Sequence, residues 1–192
     1  MKKNKSFFIH QTSILDKSSK VGKGTKIWHF CNIMNDSVIG NNCILGQNVF
    51  IGSGVIIGNN VKIQNNVSVY KGVICEDDVF IGPSSVFTNV INPRSAIDKK
   101  NEFKTTILKK GCTIGANATI ICGNTIGNFS LVGAGSVVTK DINNYEVVVG
   151  NPAKKIGWVS EQGISLIFKK NKAICSISKE IYILKKNKVY KA

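Results

Sequence analysis

The sequence predicts an all-β protein, a parallel β-helix of short strands coiled around a triangular core. Three observations carry that prediction. Stepping by six from Ile9, fourteen successive positions are apolar: Ile9, Leu15, Val21, Ile27, Ile33, Ile39, Leu45, Ile51, Ile57, Ile63, Val69, Cys75, Ile81 and Phe87. The residue after the aliphatic is repeatedly glycine, as at Gly22, Gly40, Gly46, Gly52, Gly58 and Gly82. Two residues before it stands a small or β-branched residue, as at Val49, Val55, Val61 and Val67.

A beat of six matches neither the helical period of 3.6 nor the strand period of 2. It is also too short for a folding unit, so the unit is a multiple: three short strands joined by turns form an eighteen-residue coil. The aliphatic points inward and polar residues point out. Each coil stacks on the next at strand spacing, so its ladder hydrogen bonds go to its neighbours. Val and Ile suit this pleated packing. The glycines are expected to turn the corners with their permissive backbone angles.

The beat stops after Phe87 and resumes at Leu108, Ile114, Ile120, Ile126, Val132 and Val138. Residues 88–107, "TNVINPRSAIDKKNEFKTTI", therefore predict an inserted loop stiffened by Pro93. A loop of that length inside a regular solenoid is expected to carry function. Residues 1–157 read as one β-helix domain and 158–192 as an appendage. In the appendage "ISLIFKK" and "EIYILKK" alternate like strands in hairpins, too small to fold alone and expected to dock on the helix.

Residues eighteen apart should stack in columns. His29, Gln47 and Asn65 fall in one column, Asn48, Asn66 and Ser84 in the next; Tyr70 lies beneath Thr88, and Lys71 beneath Asn89. Tyr70 takes a glycine position, so its ring should project at a corner. The His29 column is a candidate for ligand binding. The alternative is a ladder of amides satisfying turn backbone groups, which suits Asn48 and Asn66 at least as well.

The net charge of +15 invites a nucleic-acid partner. Against it, the lysines gather at the two ends and Arg94 is the single arginine, although arginine does most base-edge and phosphate-fork recognition. A lysine surface that attracts anionic small substrates is expected instead, with no nucleic acid. No apolar run is long enough to span a membrane, and the apolar part of "MKKNKSFFIH" is too short for a signal peptide, so a cytoplasmic location is expected. The six cysteines show no CxxC pair and no metal-ligand spacing. Cys31, Cys43 and Cys112 fall on the small core phase and read as reduced core residues, and no metal site is expected.

Over residues 9 to 157 the pattern resembles the hexapeptide-repeat family, the left-handed parallel β-helices. The handedness is implied by that resemblance, since general crossover rules favour the opposite hand. The closing segment "LVGAGSVVTKDINNYEVVVGNPAKKIG" resembles that of acyl-CoA-dependent members. The resemblance implies a homotrimer with sites between subunits and acetyl-CoA as co-substrate. Backbone groups near Ala134 and Ser136 would meet the pantetheine, and Lys140, Lys154 and Lys155 its phosphates. Other activities of the family fit poorly. The zinc carbonic anhydrases use three histidines, whereas this chain has only His10 and His29. A fused nucleotidyltransferase, with its Gly-rich domain before the repeats, is not expected, and no flat threonine ladder of the ice-binding kind is present.

"KIWHFCNI", "GQNVFIG", "KIQNNVSVYKGV" and "FIGPSSVFTNVINPRS" together resemble the nucleotide-linked 3-amino-sugar N-acetyltransferases, in particular those acting on UDP-2-acetamido-3-amino-2,3-dideoxyglucuronate in O-antigen synthesis. The resemblance implies that Asn89 positions the amine, that no protein base is needed, and that the departing CoA sulfur takes the proton. His29, Gln47, Asn65 and Tyr70 would line the substrate groove, with Arg94 on the pyrophosphate or carboxylate. A neutral amine attacks a thioester with only orientation and oxyanion stabilisation, whereas a hydroxyl needs a general base. His10 lies in the first coil and His29 about three coils before the loop, so neither is expected to serve as that base, although a neighbouring subunit could bring His29 closer. Thr88-Asn89-Val90 stands where relatives acting on dTDP-3-amino-3,6-dideoxyhexoses read TND, which favours the UDP-uronate. Three alternatives stay open: the dTDP sugar, an O-acetyltransferase using His29, and a non-catalytic basic scaffold.

Overall fold

A computed structural model describes residues 6–192. The chain winds through about eight coils of a left-handed parallel β-helix, and three parallel sheets form its faces. The first face begins with Phe8–Ile9, Lys26–Ile27 and Ile44–Leu45 and closes on Glu146–Val149, against which Lys154–Trp158 runs antiparallel. The second runs from Ile14–Leu15 to Val137–Val138, and the third from Lys20–Val21 to Thr125–Ile126. Partners are eighteen residues apart, as in Lys26 with Ile44 and Ser68 with Val86. Across the insertion Phe80 pairs with Thr113, so that one coil carries fifteen extra residues. The three edges of the prism follow the first, second and third faces in turn and are called edges I, II and III below.

The beat aliphatics fill the core. From Ile27 to Val138 none is more than 2% exposed, while Ile9, Leu15 and Val21 of the first described coil are only partly covered. All six cysteines are buried and free. Burial pushes the Cys31, Cys43, Cys75 and Cys112 thiols above their ordinary range, so none of these is a nucleophile.

The glycines do not play the part expected of them. The left-handed residue at each corner comes three positions after the aliphatic, as at Phe30, Asp36, Asn42, Asn48, Gly54, Asn60 and Asn66. Asn and Asp tolerate that region through local hydrogen bonding. The glycine directly after the aliphatic is needed because the next coil passes too close for a side chain. A Cβ on Gly40 would lie 2.5 Å from the Gly58 carbonyl oxygen, and one on Gly115 2.5 Å from the Ala134 nitrogen. The period was right and its cause was different: contact between coils, not turn geometry.

Edge III is laced by an amide ladder. Asn41 Oδ1 accepts from the Lys23 N–H at 2.8 Å, Asn59 Oδ1 from Asn41 at 2.9 Å, and Asp77 Oδ1 from Asn59 at 2.6 Å. Its last corners carry Phe129 and Tyr145 in left-handed conformation, where a bulky residue is strained. They root the appendage. Tyr145 stacks on Phe129 at 5.7 Å and meets the Tyr182 ring edge-on at 5.5 Å. Tyr182 belongs to a three-stranded antiparallel sheet, Lys172–Ile174, Ile181–Lys185 and Lys188–Lys191, whose inner face buries Ala173, Tyr182 and Val189 with Trp158 and Leu166. "EIYILKK" is thus a strand. "ISLIFKK" is not: Ile164, Leu166 and Phe168 pack on this cluster from irregular chain, anchored by the Leu166 N–H to the Trp158 carbonyl at 2.8 Å.

Burial, with Glu161 beside it, raises the Tyr145 hydroxyl to about 12. The free tyrosine ionises near 10, so the unfolded or undocked chain loses this proton first. Docking stability is therefore full below pH ~10 and falls as pH rises from there toward 12. Fluorescence of Trp158 in a Trp28→Phe background should report loosening across that window, and Tyr145→Phe should remove its share of the pH dependence, leaving that of Lys191, held up by Glu161 and Glu180, and of Tyr182, held up by burial.

Candidate active site

The candidate residues gather on the two edges that border the second face. Edge I carries His29, Gln47 and Asn65 in one column. The Asn48 N–H reaches the His29 carbonyl and the Asn66 N–H the Gln47 carbonyl, both at 2.9 Å. The same column continues through Pro83 and Ala116 to Ala134, via the Asn117 N–H to Pro83 at 2.9 Å and the Gly135 N–H to Ala116 at 2.8 Å. Part of the ladder alternative is realised here: Asn65 Oδ1 accepts the Gln47 N–H at 2.9 Å, and Asn48 Nδ2 donates to Asn66 Oδ1 at 3.1 Å. The Asn65 amide nitrogen and the Gln47 side chain form no hydrogen bond among the described residues. The rings of His10 and His29 lie against each other, centroids 3.6 Å apart and tilted by 33°.

Trp28 and Gln64 were not among the candidates expected from the sequence. Both take glycine positions on either side of Gly46, which has no side chain, so they wall a cleft of about 300 Å³ with His29, Gln47 and Asn65. The signal was present in the register, as two bulky residues in a glycine column.

Edge II carries Tyr70 and Lys71, with Thr88 and Asn89 one coil on. Tyr70 is 40% exposed and its ring lies 5.8 Å from that of Phe50, on the outer surface of the second face. The insertion leaves the edge at Asn89 and returns at Lys104, whose N–H closes the neck on the Asn89 carbonyl at 2.9 Å. Two threonine hydroxyls fasten the neck to the next coil: Thr88 Oγ1 accepts from the Cys122 N–H at 2.9 Å and Thr106 Oγ1 from the Gly123 N–H at 3.2 Å. The Asn89 side chain is half-buried and forms no hydrogen bond among the described residues, so a fixed backbone presents a free amide. Arg94 lies out on the loop, in a cleft of about 430 Å³ with Ser95, Asp98 and Phe103, its guanidinium donating to the Pro93 carbonyl at 2.9 Å.

Strand register places Cys122 and then Lys140 above Asn89 on edge II, so Lys140 stands two coil steps, ~10 Å, along the edge. Ser136 is fully buried, and its hydroxyl accepts the Gly150 N–H at 3.1 Å, holding the exit loop. Lys154 is exposed on the exit strand. Lys155 reaches Asn187 Oδ1 at 2.6 Å, lies 4.5 Å over the Trp158 ring and is 4.0 Å from Glu146. With Lys140 it lines a cleft of about 340 Å³ that also holds Asp141 and Glu146. Among the described residues no cluster of three or more His, Cys, Asp or Glu could hold a metal ion, and no helix is long and apolar enough to cross a membrane.

The family model for the bacterial transferase hexapeptide (six repeats) matches residues 18–53, and that for the hexapeptide repeat of succinyl-transferase matches 38–71 and 106–140. Over these stretches the chain is similar to the hexapeptide-repeat transferases. The matched stretches lie on either side of residues 88–105. A dTDP-3-amino-3,6-dideoxy-alpha-D-galactopyranose 3-N-acetyltransferase from Aneurinibacillus thermoaerophilus is 49% identical over 77 residues, 40% of each protein. The chain spans less than half the length of the curated relatives it matches. Among solved structures, a galactoside acetyltransferase in complex with coenzyme A superposes with a TM-score of 0.58 at 27% identity over 70% of both chains. A hexapeptide-repeat acetyltransferase of Vibrio cholerae O1 biovar eltor complexed with acetyl coenzyme A does so at 0.50 and 27% identity, over 60% of this chain and 70% of that one.

Proposed function

We propose that this hexapeptide-repeat protein transfers the acetyl group of acetyl-CoA to the 3-amino group of a nucleotide-linked amino sugar. The observation that carries the reading is the position of Asn89: an unpaired amide on a fastened neck at edge II. Asn89 orients the amine, whose lone pair attacks the thioester carbonyl carbon. The C–S bond breaks as the tetrahedral adduct collapses, and the leaving thiolate takes the ammonium proton. No protein base is required. The similarity to a sugar 3-N-acetyltransferase and to coenzyme A-bound acetyltransferases supports the reaction class.

In this reading the nucleotide lies along edge I, against Trp28, His29, Gln47, Gln64 and Asn65, and the sugar reaches edge II beside Tyr70, Asn89 and Arg94. The acetyl donor runs toward the far end, past Lys140, with Ala134, Ser136, Lys154 and Lys155 at that end. The two edges border one face, so an adjoining copy in a homotrimer would bring edge I of one subunit to edge II of the next. The Thr88-Asn89-Val90 segment favours a UDP-linked uronate made for a surface polysaccharide. The dTDP-linked 3-amino-3,6-dideoxyhexose is the second reading, favoured by the substrate named for the Aneurinibacillus relative.

His29→Ala separates amine from hydroxyl chemistry. If His29 only lines the nucleotide groove, KM rises and kcat stays within about threefold. A general base would instead cost about 10²–10⁴ in kcat and return the assignment to O-acetylation.

A further inference from the structure

The proposed acetyl transfer makes no use of the outer face of the appendage sheet, whose composition is unusual for a surface. Cross-strand pairing puts Lys172, Ile183 and Tyr190 in one row, Ile174 beside Ile181, and Lys185 beside Lys188, all on the side away from the buried Ala173, Tyr182 and Val189. Ile174 is 58% exposed and Tyr190 53%. No acidic residue of the sheet itself lies on this face; at its edge strand Lys188 and Tyr190 line a cleft of about 440 Å³ that also holds Asp141. The two acids of residues 158–192, Glu161 and Glu180, are both held by Lys191 at 2.8 and 2.5 Å. Lys172, Lys185 and Lys188 make no ion pair among the described residues, and Lys169, Lys170 and Lys186 stand in the adjoining turns.

We propose that this face docks on an anionic phospholipid surface, with the isoleucines and Tyr190 entering the headgroup boundary and the lysines meeting lipid phosphates. Exposed aliphatic side chains bordered by lysines without ion pairs match the chemistry of an interfacial anchor. A twofold contact with a second copy would set like charges against each other. Duplex nucleic acid offers nothing for exposed isoleucines, and the only arginine is distant, on the loop. The face belongs to the appendage on edge III, so docking leaves edges I and II open.

The test is co-sedimentation of the full chain with vesicles of phosphatidylcholine alone or mixed with phosphatidylglycerol. Binding is expected to the anionic vesicles only, and to be lost near ~0.5 M salt. Lys172→Gln/Lys185→Gln/Lys188→Gln should weaken it by about fivefold per lysine, and Ile174→Ser/Ile183→Ser by about tenfold or more. Thermal melting checks that the variants fold, and the lipid preference of the unmodified chain decides independently of them. Equal binding to both vesicles, or none to either, overturns the proposal. So does tighter binding to duplex DNA than to anionic vesicles, or self-association abolished by the isoleucine variant.

Discussion

Gly115→Ala should destabilise the protein by about 3 kcal/mol or more, and Gly135→Ala by about 1 kcal/mol or less, in paired denaturant titrations. The contrast isolates two demands that the sequence merges. At Gly115 an added Cβ would lie 2.5 Å from the Ala134 nitrogen and 2.7 Å from the Gly133 carbonyl carbon. Both contacts are backbone, so no rotamer change relieves them, and only parting two coils would. Parting coils breaks ladder hydrogen bonds and opens the core layer of Ile114 and Val132. At Gly135 the backbone is left-handed, φ +68°, but nothing lies within 4 Å of a new Cβ. The cost there is conformational strain, of the kind that Asn and Asp bear at the equivalent corners. Equal effects would mean that the beat glycine serves the turn after all.

Asn89→Ala should lower kcat/KM for the amino sugar by about a hundredfold without lowering the melting temperature. The two readouts are separable because the fastening of the loop does not use this side chain. The neck is held by the Asn89 carbonyl, Thr88 Oγ1 and Thr106 Oγ1, all of which alanine at position 89 leaves intact. A fall in stability with activity preserved per folded molecule would make Asn89 structural. Loss of activity with unchanged melting would place its amide on the substrate.

The scaffold was legible in the sequence because each coil repeats the same contact. An aliphatic such as Ile51 or Ile63 has one geometry available, and one slip would turn it to solvent. The break at residues 88–107 was legible for the same reason. Columns followed from register, so Tyr70 under Thr88 and Lys71 under Asn89 could be written down directly, and Ala134 and Lys140 could have been assigned to edges I and II likewise. The glycine role was not legible, because period alone does not tell close approach from turn geometry. Nor were the partners of Lys155 and Ser136: both are set by non-repeating chain, the Asn187 turn and the Gly150 exit loop. The Trp28 and Gln64 walls were visible as exceptions in a glycine column, but their shared cleft depends on the bare Gly46 between them.

The central claim is that an amine, not a hydroxyl, receives the acetyl group. It is tested most directly by thiol release from acetyl-CoA with UDP- and dTDP-linked 3-amino sugars beside their 3-hydroxy counterparts. Release with an amino sugar, and none with its hydroxyl counterpart, is the expected result, and preference between UDP and dTDP settles the substrate branch. Release with the hydroxyl sugars, or with neither, would contradict the account.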